Sequence, residues 1–137
     1  MIIKHEDYLS FEIPNRWMIE EDDETMSIFD INGYGSITLS FCSSAEADKP
    51  FGEQLSIMAK KIIDNNKMRI DRALILDETK KSKTVLYGSG TTSDDWFIKL
   101  WFVGKFPRIV VATYHSEKRT AEVKTADKIM DSFQFTV

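Results

Sequence analysis

The sequence predicts an α+β protein: a single antiparallel sheet of about seven strands with two main helices covering its faces, as an α/β/α sandwich. Two observations support this. Most of the chain consists of short segments that alternate apolar and polar residues and are separated by turn residues, which indicates antiparallel strands. Two segments, after Pro50 and after Arg119, instead place apolar residues at helical spacing. The length of 137 residues suits one domain, residues 1–137.

Three or four strands are predicted before the first helix. Leu9, Phe11 and Ile13 alternate with polar residues, and the strand ends at Pro14, which cannot donate to a sheet ladder. Asn32-Gly33 is a strong hairpin signal, because both residues tolerate a positive φ. The other strands begin at Trp17, run through Met26, Ile28 and Ile31, and cover Ser36–Cys42, where Ile37, Leu39 and Phe41 share one face and Ser36, Thr38, Ser40 and Cys42 the other.

The first helix is predicted around Pro50. Asp48 or Lys49 is the expected cap, with Pro50 in the first turn, where a missing N–H costs little. The run ends at Asn65-Asn66. Its apolar stripe consists of Phe51, Leu55, Met58 and Ile62.

The strongest strand signals lie in the second half of the chain. Trp96–Val103 and Arg108–Tyr114 are apolar on both faces, so they need cover on both faces. Weaker strands are predicted around Leu74–Leu76 and over Thr84–Thr92. The second helix is predicted over Arg119–Asp131, followed by an extended tail over residues 134–137. The stripe of this helix consists of Val123, Ala126, Met130 and Phe133.

Composition excludes several kinds of partner. The net charge is −4 and the pI about 5.2, and because clustered Lys and Arg drive phosphate-backbone binding, no nucleic-acid partner is expected. No window approaches the roughly 20 apolar residues of a membrane span, so no membrane partner is expected. The one cysteine, Cys42, is expected to be buried or semi-buried in its strand, and a lone cysteine fits the reducing cytoplasm. A monomer or weak homodimer is expected.

Five consecutive acids, Glu20 to Glu24, lie between the second and third strands. Calcium loops place carboxylates at alternating positions with a glycine, and this run has neither feature. It is therefore interpreted as a solvated hairpin turn. The alternative is a docking patch for a basic partner, centred on Glu21, Asp22 and Asp23.

The chain offers little catalytic chemistry. Gly88-Ser89-Gly90 lacks the spacing of a phosphate loop or a nucleophile elbow, and it is interpreted as a bulge or a close backbone contact. His5 and His115 have no obvious ligand set, so no catalytic, cofactor or metal residue is predicted. The aromatic surplus is mostly core, but Trp17 and Trp96 are candidates for a partner-binding groove.

Three pieces of the sequence resemble the PsbP-like superfamily, which includes PsbP and the Ran-binding Mog type. They are Phe11-Glu12-Ile13-Pro14 with Trp17, the amphipathic helix after Pro50, and the ending Ile129-x-x-Ser132-Phe133-x-Phe135. The resemblance implies a bacterial member of that group. It also implies a non-catalytic protein-binding module, an assembly factor or a chaperone, without a cofactor. Two alternatives are a small metal- or His-dependent hydrolase using His115 or His5, and a domain for an apolar small ligand.

Overall fold

A computed structural model describes residues 1–136 of the chain, and this part contains eleven strands and two helices. Val137, the last residue of the predicted tail, lies outside the described residues. The elements are β1 Ile2–His5, β2 Leu9–Glu12, β3 Trp17–Glu21, β4 Thr25–Asp30, β5 Gly35–Ser43, α1 Phe51–Asn65, β6 Arg69–Ile70, β7 Ile75–Asp77, β8 Thr84–Thr91, β9 Phe97–Lys105, β10 Arg108–Ser116, α2 Glu122–Asp131 and β11 Gln134–Phe135.

The strands form two antiparallel sheets, so the prediction of a single sheet was wrong. The large sheet has eight strands in the order β3-β4-β5-β10-β9-β8-β6, with β7 also paired to β8. The small sheet has the order β1-β2-β11. β2 belongs to the small sheet, since β1 pairs with one of its edges and β11 with the other. Of these neighbours, β1 was not predicted at all.

The small sheet and α2 cover the same face of the large sheet. Phe11 of β2 stacks on Phe133, which follows α2, with ring centroids 4.6 Å apart. Trp17, Trp101 and Tyr114 of the large sheet are buried in the same cluster. This face therefore holds the larger core, and its cover combines a helix and a sheet.

The other face of the large sheet packs against α1. Leu55 and Ala59 of α1 are fully buried against Leu100 and Phe102 of β9 and their neighbours. The predicted two-faced character of β9 is confirmed, because Phe97, Trp101 and Val103 belong to the α2 cluster and Ile98, Leu100 and Phe102 to the α1 cluster.

Several local boundaries differ from the predicted ones. α1 begins at Phe51 with Pro50 in the N-cap position, outside the first turn, and no side chain caps it. α2 begins at Glu122 rather than Arg119. Ile31 was assigned to a strand, but β4 ends at Asp30 and Ile31 is 71% exposed.

The predicted hairpin at Asn32-Gly33 forms without the expected backbone conformation. Within residues 1–136 neither residue has a positive φ. Asp30 organises the turn instead. Its carboxylate accepts a 3.0 Å hydrogen bond from the Asn32 N–H, and its backbone carbonyl accepts a 2.8 Å hydrogen bond from the Gly33 N–H.

The close backbone contact predicted at Gly88-Ser89-Gly90 is present. A Cβ on Gly90 would overlap the Arg69 carbonyl of β6, and a Cβ on Gly88 would overlap the Leu74 side chain. Neither described helix combines the length and the apolarity that a membrane crossing requires.

Candidate binding face of the large sheet

Helix α1 covers only half of its face of the large sheet. Its buried partners come from β8, β9 and β10. The buried residues of β3, β4 and β5 all belong to the α2 cluster, on the opposite face. Side chains alternate along a strand, so the remaining residues of β3–β5 point to the α1 side, where in the described chain no helix lies over them. The expectation that the helices cover both faces is therefore correct for only part of the sheet.

These uncovered residues align in rows across neighbouring strands, and we call them the open face. Most are half-buried hydroxyl-bearing side chains, which suits a sheet surface in contact with water. The first row consists of Met18, Phe29, Ser36 and His115, the second of Glu20, Ser27, Thr38 and Thr113, and the third of Thr25 and Ser40. Val111, which pairs with Ser40, packs against the α1 cluster and borders the open face.

Apolar side chains lie on both sides of the hydroxyl-bearing residues of the open face. Met18 on the edge strand is 46% exposed, and Phe29 beside it is half-buried. At the other end of the same row, Trp96 is 41% exposed and its ring lies 6.0 Å from the His115 ring, centroid to centroid. The open face can therefore offer both hydrogen bonds and apolar contact to a partner.

A groove of about 500 Å³ borders the open face where α1 meets the ends of β5 and β10. Ile57, Met58, Ile62 and Ile109 supply its apolar lining, and Ile57 is 44% exposed. Cys42 pairs with Ile109 across the sheet and is exposed, not buried or semi-buried as predicted. Cys42 lies on the same face of β5 as Ser36, Thr38 and Ser40, whereas the buried contacts of α1 are with β8–β10.

Asp22, Asp23 and Glu24 of the acidic run form the turn between β3 and β4, as interpreted from the sequence, whereas Glu20 and Glu21 end β3. The Asp22 carboxylate accepts hydrogen bonds from the backbone N–H groups of Glu24 at 2.9 Å and Thr25 at 2.8 Å, and from the Thr25 hydroxyl at 3.0 Å. These bonds hold the pKa of Asp22 below its ordinary value. Among residues 1–136, no cation forms a salt bridge with Glu20, Glu21, Asp23 or Glu24.

The predicted site residues do not come together in one site. Trp17 is only 5% exposed and packs in the core, so the prediction of a binding role for it was wrong: its ring cannot reach a partner in the folded chain. Trp96 is at the surface. Asp22 and Asp23 lie in the hairpin tip, which adjoins the Thr25–Ser40 pair at the far corner of the open face from Trp96 and His115. Glu21 pairs with buried Met26, so its side chain lies on the α2 side of the sheet, with Trp17 and Ile19.

The two histidines pack against aromatic rings. His5 stacks on Phe41 with centroids 3.7 Å apart, and His115 lies beside Trp96. In the part of the chain that the structure describes, no three His, Cys, Asp or Glu side chains converge as a metal site would require.

Sequence reasoning missed Met18, Phe29 and the rows of hydroxyls between the edge strand and β10. One signal was available. Ser36, Thr38 and Ser40 occupy one face of a central strand, and polar residues there indicate that the face meets water rather than a helix.

This architecture defines a class: an antiparallel α+β sandwich with one face of its sheet partly open. No protein-family model matches the chain, and no curated protein matches it in sequence. Solved structures share the fold at 10–13% identity. The cyanobacterial PsbP (CyanoP) of Synechocystis sp. PCC 6803 aligns over 93% of this chain and 86% of its own, with a TM-score of 0.66.

The Ran-binding protein Mog1p of Saccharomyces cerevisiae aligns over 92% of this chain and 89% of its own, with 10% identity and a TM-score of 0.57. A protein of Bacteroides thetaiotaomicron VPI-5482 is 13% identical, with a TM-score of 0.59. The alignment covers 94% of this chain but only 45% of the Bacteroides protein. The particular fold is therefore the PsbP-like fold, as the resemblance in the sequence implied.

Proposed function

We propose that this chain is a non-catalytic protein-binding module of the assembly or chaperone type, and that it binds a basic partner protein on the open face. The observation that supports this most directly is the half-covered sheet. α1 packs over β8–β10 and leaves β3–β5 open, so one side of the sheet, ending at the edge strand β3, is available to another protein.

The chemistry of the open face suits a protein partner. Exposed Met18 and Trp96 are of the residue types enriched at protein interfaces. The hydroxyls of Ser27, Thr38 and Thr113 between them can donate and accept hydrogen bonds. The groove beside α1 offers a place for an apolar side chain of the same partner.

Charge indicates that the partner is basic. Glu20 lies on the open face, and the acidic turn adjoins its corner. The chain as a whole has a net charge of −4. Opposite charges at the rim of an interface speed up association and suppress wrong partners. A partner with Lys and Arg around a small apolar contact would therefore be favoured.

The comparisons support a binding role, since Mog1p with the same fold is a Ran-binding protein. The module is proposed to act as one domain, as a monomer or weak homodimer, in the cytoplasm. The compartment rests on the exposed thiol of Cys42, which a reducing environment would preserve.

Site-directed photo-crosslinking tests the proposal in the native host. A photoreactive amino acid at Thr38 is expected to capture a basic protein, and the crosslink should be lost in a Met18→Glu variant. Ile31→Glu is the matched control, because Ile31 is exposed in a turn outside the open face. A probe at exposed Lys124 on α2 should not capture the same protein. Capture from Lys124 alone, or a Thr38 crosslink that survives Met18→Glu, would contradict the proposal.

A further inference from the structure

A second concave surface lies on the other side of the large sheet, between β7–β8 and the segment before α2. It is a groove of about 350 Å³, and we call it the cationic groove. Its walls come from five separate parts of the chain: the loop after β6, strand β7, strand β8, strand β9 and the loop before α2. The residues that matter below are Asp71, Arg72, Tyr87, Ser89, Lys99 and Arg119.

Lys99 is held in position at the floor of this groove. Its amine donates a 2.6 Å hydrogen bond to the Asp127 carboxylate of α2. The amine also lies 5.6 Å from the ring centroid of Tyr87 and 5.3 Å from that of Trp101, within the range of cation–π attraction. This charge is therefore placed by packing and does not depend on a flexible surface side chain.

Two guanidinium groups line the same groove. Among residues 1–136, neither Arg72 nor Arg119 forms a salt bridge with an acid. Arg119 lies over the Phe97 ring at 5.4 Å from the centroid, which orients its side chain. In a chain of net charge −4, three cations from separate elements thus line one concave site. Lys99 is paired with Asp127, so the two guanidinium groups supply the cationic charge that has no acid partner.

We propose that the cationic groove binds a phosphate monoester. A phosphate monoester carries close to two negative charges at neutral pH, matching the two guanidinium groups without acid partners, and guanidinium suits bidentate bonds to phosphate. The Ser89 hydroxyl can donate to the same oxygens. Tyr87 and Ile75 form a wall for the organic part of the ligand. The site lies on the face opposite the open face, so it is independent of the protein-binding proposal.

Asp71 is the one opposing charge that lines the groove, and it provides a test with the opposite sign. Its backbone N–H is held by the Ser89 carbonyl at 3.0 Å, so its position is fixed beside the proposed ligand. A carboxylate there repels phosphate. Asp71→Asn should therefore bind the same ligand more tightly than the wild-type chain.

Isothermal titration of phenyl phosphate into the purified full chain tests the proposal. Binding is expected to weaken about tenfold or more in Arg119→Gln and in Arg72→Gln, as for loss of a charged hydrogen bond. Arg16→Gln is the matched control, since its side chain is 84% exposed and lies outside the groove. Circular dichroism checks that each variant is folded. No binding at millimolar concentration, or equal affinity in all the arginine variants, would overturn the proposal.

Two further titrations identify the source of the phosphate. Inorganic phosphate should bind more weakly than phenyl phosphate, because it makes no contact with the Tyr87 wall. A peptide that contains phosphotyrosine should bind more tightly than phenyl phosphate if the ligand belongs to a protein, and no more tightly if it is a small molecule. Inorganic phosphate binding as well as phenyl phosphate would contradict the role given to Tyr87 and with it the proposed monoester specificity.

Discussion

The phenol of Tyr114 donates a 2.9 Å hydrogen bond to the carboxylate of Glu122, and this bond joins β10 to the first turn of α2. The same carboxylate accepts the backbone N–H groups of Gly35 at 2.8 Å and Tyr34 at 3.2 Å. A Cβ on Gly33 would overlap this carboxylate, so the turn before β5 needs a glycine to approach so closely. One side chain of α2 thus ties together two parts of the large sheet.

The first prediction concerns stability at alkaline pH. Burial, followed by the Glu122 contact, raises the pKa of Tyr114 from 10.0 to about 12. The folded state therefore favours the neutral phenol, and this contribution is complete below pH 10.0 and lost as pH rises towards about 12. Urea unfolding across this interval should show the loss in the wild-type chain, and Tyr114→Phe should remove that component.

The exposed Tyr34 provides the control for this prediction. Tyr34→Phe should retain the alkaline loss in full, because it leaves the phenol of Tyr114 in place. An alkaline loss of the same size in Tyr114→Phe and the wild-type chain would show that another group titrates.

The second prediction concerns a lysine inside the core. Lys83 is 6% exposed, and its amine donates to the backbone carbonyls of Asp131 at 2.6 Å and Phe133 at 2.9 Å, where α2 ends. Burial lowers the pKa of this amine. Lys83→Met should lower the free energy of unfolding by about 1–3 kcal/mol, because it leaves a buried carbonyl without a donor. Lys81→Met, at an exposed neighbouring position, should change little. Equal effects of both substitutions would show that the bonds from the Lys83 amine to the end of α2 do not stabilise the fold.

The third prediction distinguishes two tryptophans. Trp101 is 4% exposed in the core under α2, whereas Trp96 is 41% exposed at the end of the open face. Trp101→Ala should cost about 3–5 kcal/mol of unfolding free energy, as for deletion of a large buried ring. Trp96→Ala should leave the urea midpoint nearly unchanged and act on partner binding instead. A near wild-type midpoint for Trp101→Ala would contradict the packing described.

The local patterns were sufficient to predict most strands and both helices. β9 could be read correctly because Phe97, Trp101 and Val103 alternate with Ile98, Leu100 and Phe102, and apolar residues on both faces need cover on both faces. The small sheet could not be predicted in this way. Local patterns predict β2 and an extended tail, but Leu9 pairs with Phe135, and alternation within a segment does not specify a partner so far away in the sequence.

The candidate site was harder to predict than the fold. The binding role predicted for Trp17 rests on the rule that large rings are seldom fully buried, yet its ring is enclosed by the α2 cluster. The open face depends on where α1 lies over the sheet, and the apolar stripe of a helix does not specify which strands it will contact. Only the polar side of β5, with Thr38 at its centre, pointed to a surface in contact with water.

The last prediction concerns the acidic turn, where the structure divides five similar residues into two roles. Asp22 shapes the turn through its bonds to Glu24 and Thr25, whereas Glu21 and Asp23 have no bonding partner of this kind in the described chain. Asp22→Ala should therefore lower the melting temperature. A Glu21→Gln, Asp23→Asn variant should leave the temperature unchanged, because exposed charges contribute little to stability.

The contribution of Asp22 to stability depends on pH. Hydrogen bonds within the turn lower the pKa of Asp22, so this contribution is present above the ordinary value of 3.8 and lost as pH falls below it.

The double variant also tests the role of the charges in binding. Glu21→Gln, Asp23→Asn should associate more slowly with the partner captured at Thr38, and its rate should depend less on salt, since rim charges act mainly on association. Unchanged rates at low salt would restrict the acidic run to a solvated turn, and the partner would then be selected by the open face alone.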